Sequence, residues 1–295
     1  MALGARRLRA VQAGLEQLYA QTDFGARLLQ DPVAAVHRYQ DPLDQELAGF
    51  ISACFAYGRV SAFQPVVARI LDWLDTQGGP RLALERLDLE QAHQALGGVG
   101  YRFSKGPDLI LLLLALHRTL DRWGSLCALA GAGEARLVLS KLVDGLRWAA
   151  LDQAPRLHIQ AQAAAELPAG LRYWMNHPES GSACKRLNMF LRWMVRPPTE
   201  GLDLGIWTQV DPAALVIPVD THVLRTARFL GLHSGKSGNW RAAESITAQL
   251  RRMDPVDPVR YDFAIAHLGI SGACKGKRDP ELCPVCPLNR VCKPQ

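Results

Sequence analysis

The sequence predicts an all-α protein, and two observations support that prediction. Leucine, alanine, arginine, glutamate and glutamine dominate the chain, and no stretch shows the alternating Val, Ile or Thr that is typical of a sheet. Breaking pairs such as Asp41-Pro42, Gly106-Pro107 and Asp254-Pro255 divide the chain into segments of helix length. This pattern predicts about ten helices joined by short loops.

The composition is typical of a soluble globular protein, with 48% hydrophobic and 21% charged residues. The longest apolar run, residues 109–116, is shorter than the roughly 20 residues that cross a bilayer, so it predicts a buried helix. Residues 1–20 are basic but lack the apolar core of a secretory signal. We therefore expect an amphipathic first helix and a cytoplasmic protein; a transit peptide is the alternative, disfavoured by Glu16 and the regular apolar spacing.

The net charge of +6 is distributed unevenly along the chain. Residues 1–221 contain 22 basic and 22 acidic residues, whereas residues 222–295 contain 12 basic and 6 acidic residues. A basic region beside a neutral body indicates a polyanionic partner, of which nucleic acid is the commonest. A solubilising surface is the alternative that charge alone leaves open.

Four of the seven cysteines are clustered near the end of the sequence with the spacing C-x8-C-x2-C-x5-C: Cys274, Cys283, Cys286 and Cys292. In a chain without a secretory signal, such clustering favours a metal group over disulfides. Zinc modules usually contain two short ligand pairs. Only one short pair is present here, Cys283 and Cys286, and no histidine follows Cys274. The pattern therefore favours a [4Fe–4S] cluster, with a structural zinc ion as the alternative.

Residues 217–225 (IPVDTHVLR) resemble the P-V-D-T-H-V-x-R signature of the helix-hairpin-helix DNA glycosylase superfamily, which includes endonuclease III and the adenine-mismatch glycosylases. In that family a four-cysteine loop follows at a similar distance, and its last two gaps equal those found here. Residues 41–60 also resemble the first helix of the family's helical barrel. The chain is most similar to an uncharacterised bacterial branch that shares features with archaeal 8-oxoguanine DNA glycosylases.

This resemblance implies a two-lobed helical glycosylase-like fold with a C-terminal iron–sulfur cluster loop. Residues 1–40 would form N-terminal helices packed on the C-terminal lobe, residues 41–231 the helical barrel and catalytic region, and residues 232–295 the C-terminal lobe, with the cluster loop at 271–295. The family's hairpin, an L-P-G-V-G-like turn that binds a DNA phosphate, has no counterpart near the signature. Gly98-Val99-Gly100 has a similar sequence but lies far upstream, at an expected helix boundary.

Asp220 is the first of two candidate catalytic residues. It follows Pro218 and precedes an apolar pattern that ends at Gly231, so we expect it at a helix N-terminus, where the dipole and free N–H groups favour its ionised form. The resemblance implies that this carboxylate opposes the positive charge that forms on the sugar when the glycosidic bond breaks. A plain helix cap is the alternative role.

Lys185 is the candidate nucleophile. Residues 181–196 predict a helix with Ser182 as its N-cap and a polar stripe of Lys185, Asn188 and Arg192 beside the apolar face. A lysine amine can attack the sugar carbon and form a Schiff base. The archaeal branch has its lysine at a comparable distance before the aspartate. A solvated helix face is the alternative interpretation of the stripe.

A few other residues carry weaker signals. Trp193 and His267 are expected in the core, and His222 is expected in local hydrogen bonds. The segment Tyr101-Arg102-Phe103 mixes aromatic and basic character, but its sequence context assigns it no position.

We therefore expect a DNA glycosylase that flips a damaged base out of duplex DNA, with an oxidised purine such as 8-oxoguanine as first substrate and AP-lyase activity through the lysine Schiff base. We expect a monomer that associates with the nucleoid and not with a membrane. One alternative is a non-catalytic DNA-structure-binding protein that kept the fold, and a more remote one is a zinc-stapled RNA-binding protein. The expected DNA contacts are Arg192, Trp207, Lys275 and Lys277.

Overall fold

A computed structural model describes residues 3–157 and 167–294 of the chain. These residues form helices and no strand; their β-type pairs are isolated bridges between Tyr101 and Ser104 and between Ser182 and Asn239. The prediction of an all-α protein is therefore confirmed.

The described residues before position 158 contain nine α-helices: α1 (Ala5–Ala20), α2 (Phe24–Leu28), α3 (Pro42–Phe55), α4 (Val60–Thr76), α5 (Pro80–Glu85), α6 (Leu89–Leu96), α7 (Gly106–Trp123), α8 (Leu126–Ala130) and α9 (Ala135–Gln153). The described residues after position 166 contain six more: α10 (Ala169–Trp174), α11 (Lys185–Val195), α12 (Thr221–Leu230), α13 (Trp240–Arg251), α14 (Asp262–Ile270) and α15 (Leu282–Val285). Short 3-10 helices lie at Pro32–Arg38, Ala154–Leu157, Pro178–Ser180, Thr199–Gly201 and Pro212–Ala214.

The structure contains more helices than the breaking residues predict, because several are very short. Helices α2, α5, α8, α10 and α15 have between four and six residues. A segment of less than two turns is too short to show a helical period in the sequence.

The core is built around α7 and α11. Residues 109–116 of α7 are each at most 1% exposed, so the apolar run is the buried helix that the sequence predicts. Helix α7 packs against α5, α6 and α9, while α11 packs against α3 and α9 and is buried at every residue after Lys185. Within the described ranges, no helix has both the length and the apolar content needed to cross a membrane.

Helix α1 packs against the C-terminal part of the chain. The Arg7 guanidinium donates to the carbonyl oxygens of Val291, at 2.9 Å, and Leu230, at 3.4 Å. Gly14 lies so close to Leu288 that a Cβ at this glycine would come within 3.2 Å of the leucine side chain. The first helix and the residues that follow α12 therefore pack together.

A buried carboxylate joins three separate segments. Glu46 of α3 accepts hydrogen bonds from the backbone N–H groups of Leu126 and Cys127, at 2.8 and 2.9 Å, and from the Trp207 indole at 2.8 Å. The carboxylate thereby caps the start of α8 and holds the connection that leads to α12. Burial raises the pKa of Glu46, against the effect of these three donors.

Replacing Glu46 with alanine is expected to destabilise the protein strongly. The substitution leaves two backbone N–H groups and one indole N–H without an acceptor in the core, and each unsatisfied buried donor costs about 1–3 kcal/mol. We expect the free energy of unfolding, measured by urea denaturation, to fall by about 3 kcal/mol or more. Glu85→Ala is the control, because that glutamate is exposed and, among the described residues, forms an ion pair with Arg81 alone, at 3.9 Å. An equally small effect of both substitutions would contradict the prediction.

Candidate active site

Three helices begin around one open cavity of about 1070 Å³. The cavity is lined by Lys185 at the start of α11, Asp220 immediately before α12 and Asp262 at the start of α14. Helix N-termini carry unpaired N–H groups and positive partial charge, which favours anionic or electron-rich ligands. The volume is at the upper end of the range found for small-molecule sites.

Asp220 is the N-cap of α12, as the sequence predicts. Its Oδ1 atom accepts hydrogen bonds from the backbone N–H groups of His222 and Val223, both at 2.8 Å. Among the described residues no donor engages Oδ2. The carboxylate is therefore oriented through Oδ1, while Oδ2 accepts no hydrogen bond from the described residues.

Lys185 is the first residue of α11 and is half-buried. Its Nζ atom lies 3.4 Å from the Met189 sulfur, and no carboxylate in the described chain is close enough to form an ion pair with it. The predicted N-cap was wrong: the helix is preceded by Cys184 in the left-handed conformation, with φ 46°, and the Ser182 hydroxyl accepts from the Cys184 N–H at 3.2 Å. The chain turns through Cys184 before the helix starts, so Ser182 lies outside capping position.

The polar stripe on α11 is not a solvated face. Asn188 is 1% exposed and donates to the Ala183 carbonyl, and Arg192 is 3% exposed. The Arg192 guanidinium forms ion pairs with Asp203, at 3.2 Å, and Asp262, at 2.5 Å, and it lines the cavity. Two carboxylates hold Arg192 inside the protein, on the cavity wall, so the predicted DNA contact of Arg192 would have to be made within the cavity.

Asp262 is a site residue that the sequence analysis missed. It is 4% exposed, and burial raises its pKa to about 6 against the opposing effect of Arg192. The Asp220 carboxylate raises this pKa further and the Lys185 ammonium lowers it, so the three groups share one electrostatic environment. In the sequence, Asp262 looks like an ordinary acidic residue in the first turn of a helix.

Asp31 and His267 form another part of the cavity wall. His267 is 2% exposed, its ring centroid lies 4.0 Å from that of Phe263, and its Nε2 atom is 3.6 Å from an Asp31 oxygen. Neither ring nitrogen has a hydrogen-bond partner within the described part of the chain. Burial opposes ionisation of Asp31, yet His267 and Arg192 hold its pKa below the usual value. His267 is buried as expected, but it also faces the cavity.

The remaining candidate residues divide into core and surface positions. His222 contacts Arg225 through a local hydrogen bond of 3.3 Å, as expected. Trp193 is fully buried, also as expected. Trp207 is only 1% exposed and donates its indole N–H to Glu46, so the prediction that Trp207 stacks on DNA was wrong. An indole held in the core by a buried acceptor is not free to meet a base.

The four clustered cysteines line a second, small cavity of about 30 Å³ at the C-terminal end. The backbone N–H of Asp279 donates to the Cys283 sulfur at 3.3 Å. Burial and the neighbouring thiols together raise the pKa of Cys292 to about 11. In the part of the chain that the structure describes, no group of three or more His, Cys, Asp or Glu side chains is arranged to hold a single metal ion.

Lys275 and Lys277 lie at the edge of this second cavity and are both exposed. Lys275 pairs with Asp279 at 2.8 Å. The Lys275 ammonium and the backbone N–H groups of Leu282 and Glu281 lower the pKa of Asp279 to about 2. Lys277 has no acidic partner among the described residues, so it is the more available of the two lysines for an anionic ligand.

The raised pKa of Asp262 predicts a specific pH dependence of stability. A carboxyl group that holds its proton more tightly in the folded protein stabilises the fold at low pH, and that contribution is lost as the pH rises towards the folded pKa. The free energy of unfolding of the wild type relative to Asp262→Asn should therefore fall between about pH 4 and pH 6, by up to about 3 kcal/mol. Glu134→Gln is the control for the loss of a carboxylate, because that side chain is exposed. A constant difference between wild type and Asp262→Asn across this range would refute the assignment.

No curated protein matches this chain significantly. The model of a family described as proteins of unknown function (DUF2400) matches residues 31–271, which is most of the chain. The chain therefore belongs to this DUF2400 family.

Proposed function

We propose that the protein is a DNA glycosylase of the helix-hairpin-helix type, which turns a damaged base out of duplex DNA and breaks its N-glycosidic bond. The observation that carries the proposal is that Lys185 and Asp220, which begin two different helices, line the same cavity. That cavity, of about 1070 Å³, has room for a base together with its sugar. The segment with the glycosylase-like signature supplies Asp220.

Asp220 would stabilise the charge that develops on the sugar. As the glycosidic bond breaks, the bonding electrons leave with the base and positive charge builds up on the sugar ring. The Oδ2 atom, which has no donor among the described residues, would face this charge, while two backbone N–H groups hold Oδ1 in place. A carboxylate fixed in this way needs no reorganisation during the reaction.

Lys185 would act as the nucleophile. Its amine attacks C1′ of the sugar as the bond to the base breaks. One amine proton passes to the departing base and the other to the ring oxygen, and the ring opens to the Schiff base. Elimination of the 3′ phosphate from that Schiff base would cut the strand. The Nζ atom lies 3.4 Å from the Met189 sulfur, and no carboxylate of the described residues is within ion-pair distance of it.

An oxidised purine, such as 8-oxoguanine, is the proposed substrate. Such a base carries an additional carbonyl group and N–H group at its edge. Arg192 and His267 line the cavity, and the Arg192 Nη2 and His267 Nδ1 atoms are buried without a hydrogen-bond partner among the described residues. Buried polar atoms without partners are costly, so a ligand that satisfies them gains affinity.

Duplex DNA is the proposed partner, bound by a monomer in the cytoplasm in association with the nucleoid. The excess of basic residues lies after position 221, and the exposed Lys277 belongs to it. Phosphate contacts by such residues release counterions, so binding should weaken steeply with salt.

We propose that the cysteine cluster holds a [4Fe–4S] cofactor, with zinc as the alternative. The second cavity is lined by all four cysteines: Cys274, Cys283, Cys286 and Cys292. Burial and repulsion between the thiols disfavour free thiolates there. The Asp279 backbone N–H already donates to the Cys283 sulfur. When bound, the cluster would supply four iron–sulfur bonds that hold residues 271–295 together. The residues themselves would position Lys277 beside the DNA.

The two catalytic residues are expected to fail in different ways when replaced. On a duplex that contains an abasic site, Lys185→Ala should abolish borohydride trapping because the amine that forms the Schiff base is gone. Asp220→Asn should slow base excision by about 10²–10³-fold while DNA binding persists, because the charge opposing the sugar cation is lost. Lys141→Ala, an exposed lysine on α9, is the control for lysine loss. If the wild type binds DNA but neither excises nor traps, the protein is the non-catalytic DNA-structure-binding alternative.

The cofactor is tested by metal content. Anaerobically purified protein should contain about four iron atoms and about four inorganic sulfide ions per chain. Cys283→Ser and Cys292→Ser should lower the iron content and the melting temperature, because the loop loses the cluster that would hold it together. Cys127→Ser is the matched control, since that thiol lies outside the second cavity. Stoichiometric zinc without iron would overturn the assignment.

A further inference from the structure

His267 lines the large cavity with a buried ring whose Nδ1 atom has no partner. The residue lies on α14 and is 2% exposed. No group among the described residues forms a hydrogen bond with Nδ1. The ring packs on Phe263, one turn earlier on the same helix, with 4.0 Å between the ring centroids and 32° between the planes. Buried polar atoms are nearly always satisfied, so an unpartnered nitrogen on a cavity wall indicates a ligand that bonds there.

The other ring nitrogen lies beside a carboxylate. His267 Nε2 is 3.6 Å from Oδ2 of Asp31, which also lines the cavity. The other oxygen of Asp31, Oδ1, accepts a hydrogen bond from the backbone N–H of Val33 at 3.0 Å, where Asp31 caps the 3-10 helix Pro32–Arg38. A carboxylate beside one nitrogen of an imidazole determines which nitrogen carries the first proton, and it stabilises the ring when the other nitrogen binds a second proton.

The other charged groups around this pair have partners of their own. Arg192 acts on Asp31 electrostatically, but its guanidinium is paired with Asp203 and Asp262. The Arg27 guanidinium donates to the His267 backbone carbonyl at 3.4 Å. Among the described residues, Asp31 is the acidic side chain within ion-pair distance of the His267 ring. A positive charge on the ring would therefore be balanced by this carboxylate.

His267 and Asp220 reach the cavity from two helices that pack against each other. Helix α14 carries His267, and α12 begins directly after Asp220. Gly269 on α14 lies so close to His222 on α12 that a Cβ at Gly269 would come within 2.0 Å of the His222 Nδ1 atom. These two residues follow His267 and Asp220 by two positions each. A nucleotide whose sugar lies at Asp220 would therefore have α14 as the neighbouring wall for its base.

We propose that His267 is the general acid that protonates the base as it leaves, and that Asp31 is the positioning residue that holds the imidazole in this role. The inference rests on the proposed function. A purine that departs without a proton leaves as an anion, which is a poor leaving group. Proton transfer by a positioned side chain typically accelerates such a step by about 10²–10⁴-fold, and histidine is the commonest side chain in this role.

The proton transfer balances without a further reagent. As the Lys185 amine bonds to C1′, the electron pair of the glycosidic bond moves to the base, and the base takes the proton from His267 Nδ1. The imidazole is left neutral, with its remaining proton on Nε2 beside Asp31. It then takes up a proton that the Lys185 amine releases. The net transfer therefore runs from the amine to the base, and His267 returns to its starting state.

The general acid is tested by separating base excision from the reaction at an abasic site. An abasic site has no base to protonate, so borohydride trapping there requires Lys185 but not His267. Excision is measured on a duplex that contains 8-oxoguanine, or the lesion of a panel that the full-length wild type excises fastest. His267→Gln should slow excision by at least about 10²-fold, while its trapping on an abasic duplex should equal that of the wild type. His93→Gln, at an exposed histidine on α6, is the control and should change neither.

The role of Asp31 is tested by a double-mutant cycle. Asp31→Asn should also slow excision while trapping on the abasic duplex persists. Because the carboxylate acts through the imidazole, Asp31→Asn should add little to the effect of His267→Gln in the double variant. If the two effects add in full, Asp31 acts independently of His267 and the positioning role is wrong.

Failure of the general acid and failure of the glycosylase proposal give different results. If His267→Gln excises the base as fast as the wild type, the acid is refuted and the glycosylase proposal stands. If His267→Gln loses excision and abasic trapping together, the residue has a structural role and the acid is again refuted. If the wild type excises no base of the panel, His267 has no departing base to protonate and the inference fails with the glycosylase proposal. Trapping by the wild type then decides whether Lys185 still acts at abasic sites.

Discussion

The buried guanidinium of Arg192 is the interaction on which the cavity depends. It joins α11 to Asp203, in the connection that follows this helix, and to Asp262 at the start of α14. Arg196 continues the network from the other oxygen of Asp203. Removing one partner of a buried ion pair costs about 3–5 kcal/mol, because the remaining charge is left unpaired inside the protein. The relative position of α11 and α14 is therefore determined by charges with directional hydrogen bonds, which tolerate less displacement than apolar contacts.

The sequence predicted the features that depend on neighbouring residues. Asp220 follows a proline and precedes an apolar helical pattern, and it is the N-cap of α12. The features that it did not predict depend on distant partners: Arg192 pairs with residues 11 and 70 positions away, and Trp207 bonds to a carboxylate 161 positions away. A polar stripe on an amphipathic helix looks the same whether it faces water or buried carboxylates. Asp262 was missed for the same reason.

Backbone strain is a second class of feature that the sequence does not reveal. Arg102 and Cys184 are both in the left-handed region, and one lies beside the cavity while the other lines it. Neither arginine nor cysteine favours this conformation, so no pattern of residue types signals it. Only the hydrogen bonds and close packing around each turn make the strained backbone tolerable. The parts of the site that carry the least sequence signal are therefore the ones that depend most on the completed fold.

The packing of α1 has a consequence for the order in which the protein assembles during translation. This helix leaves the ribosome long before the groups that it contacts, because the Leu230 and Val291 carbonyls lie 223 and 284 residues after Arg7 and the Leu288 side chain lies between them in the sequence. Helices α3 to α9 contact one another across shorter stretches of chain and can form earlier. The apolar side of α1 must therefore stay uncovered until those groups have been synthesised, which makes the nascent chain a substrate for chaperones during that interval.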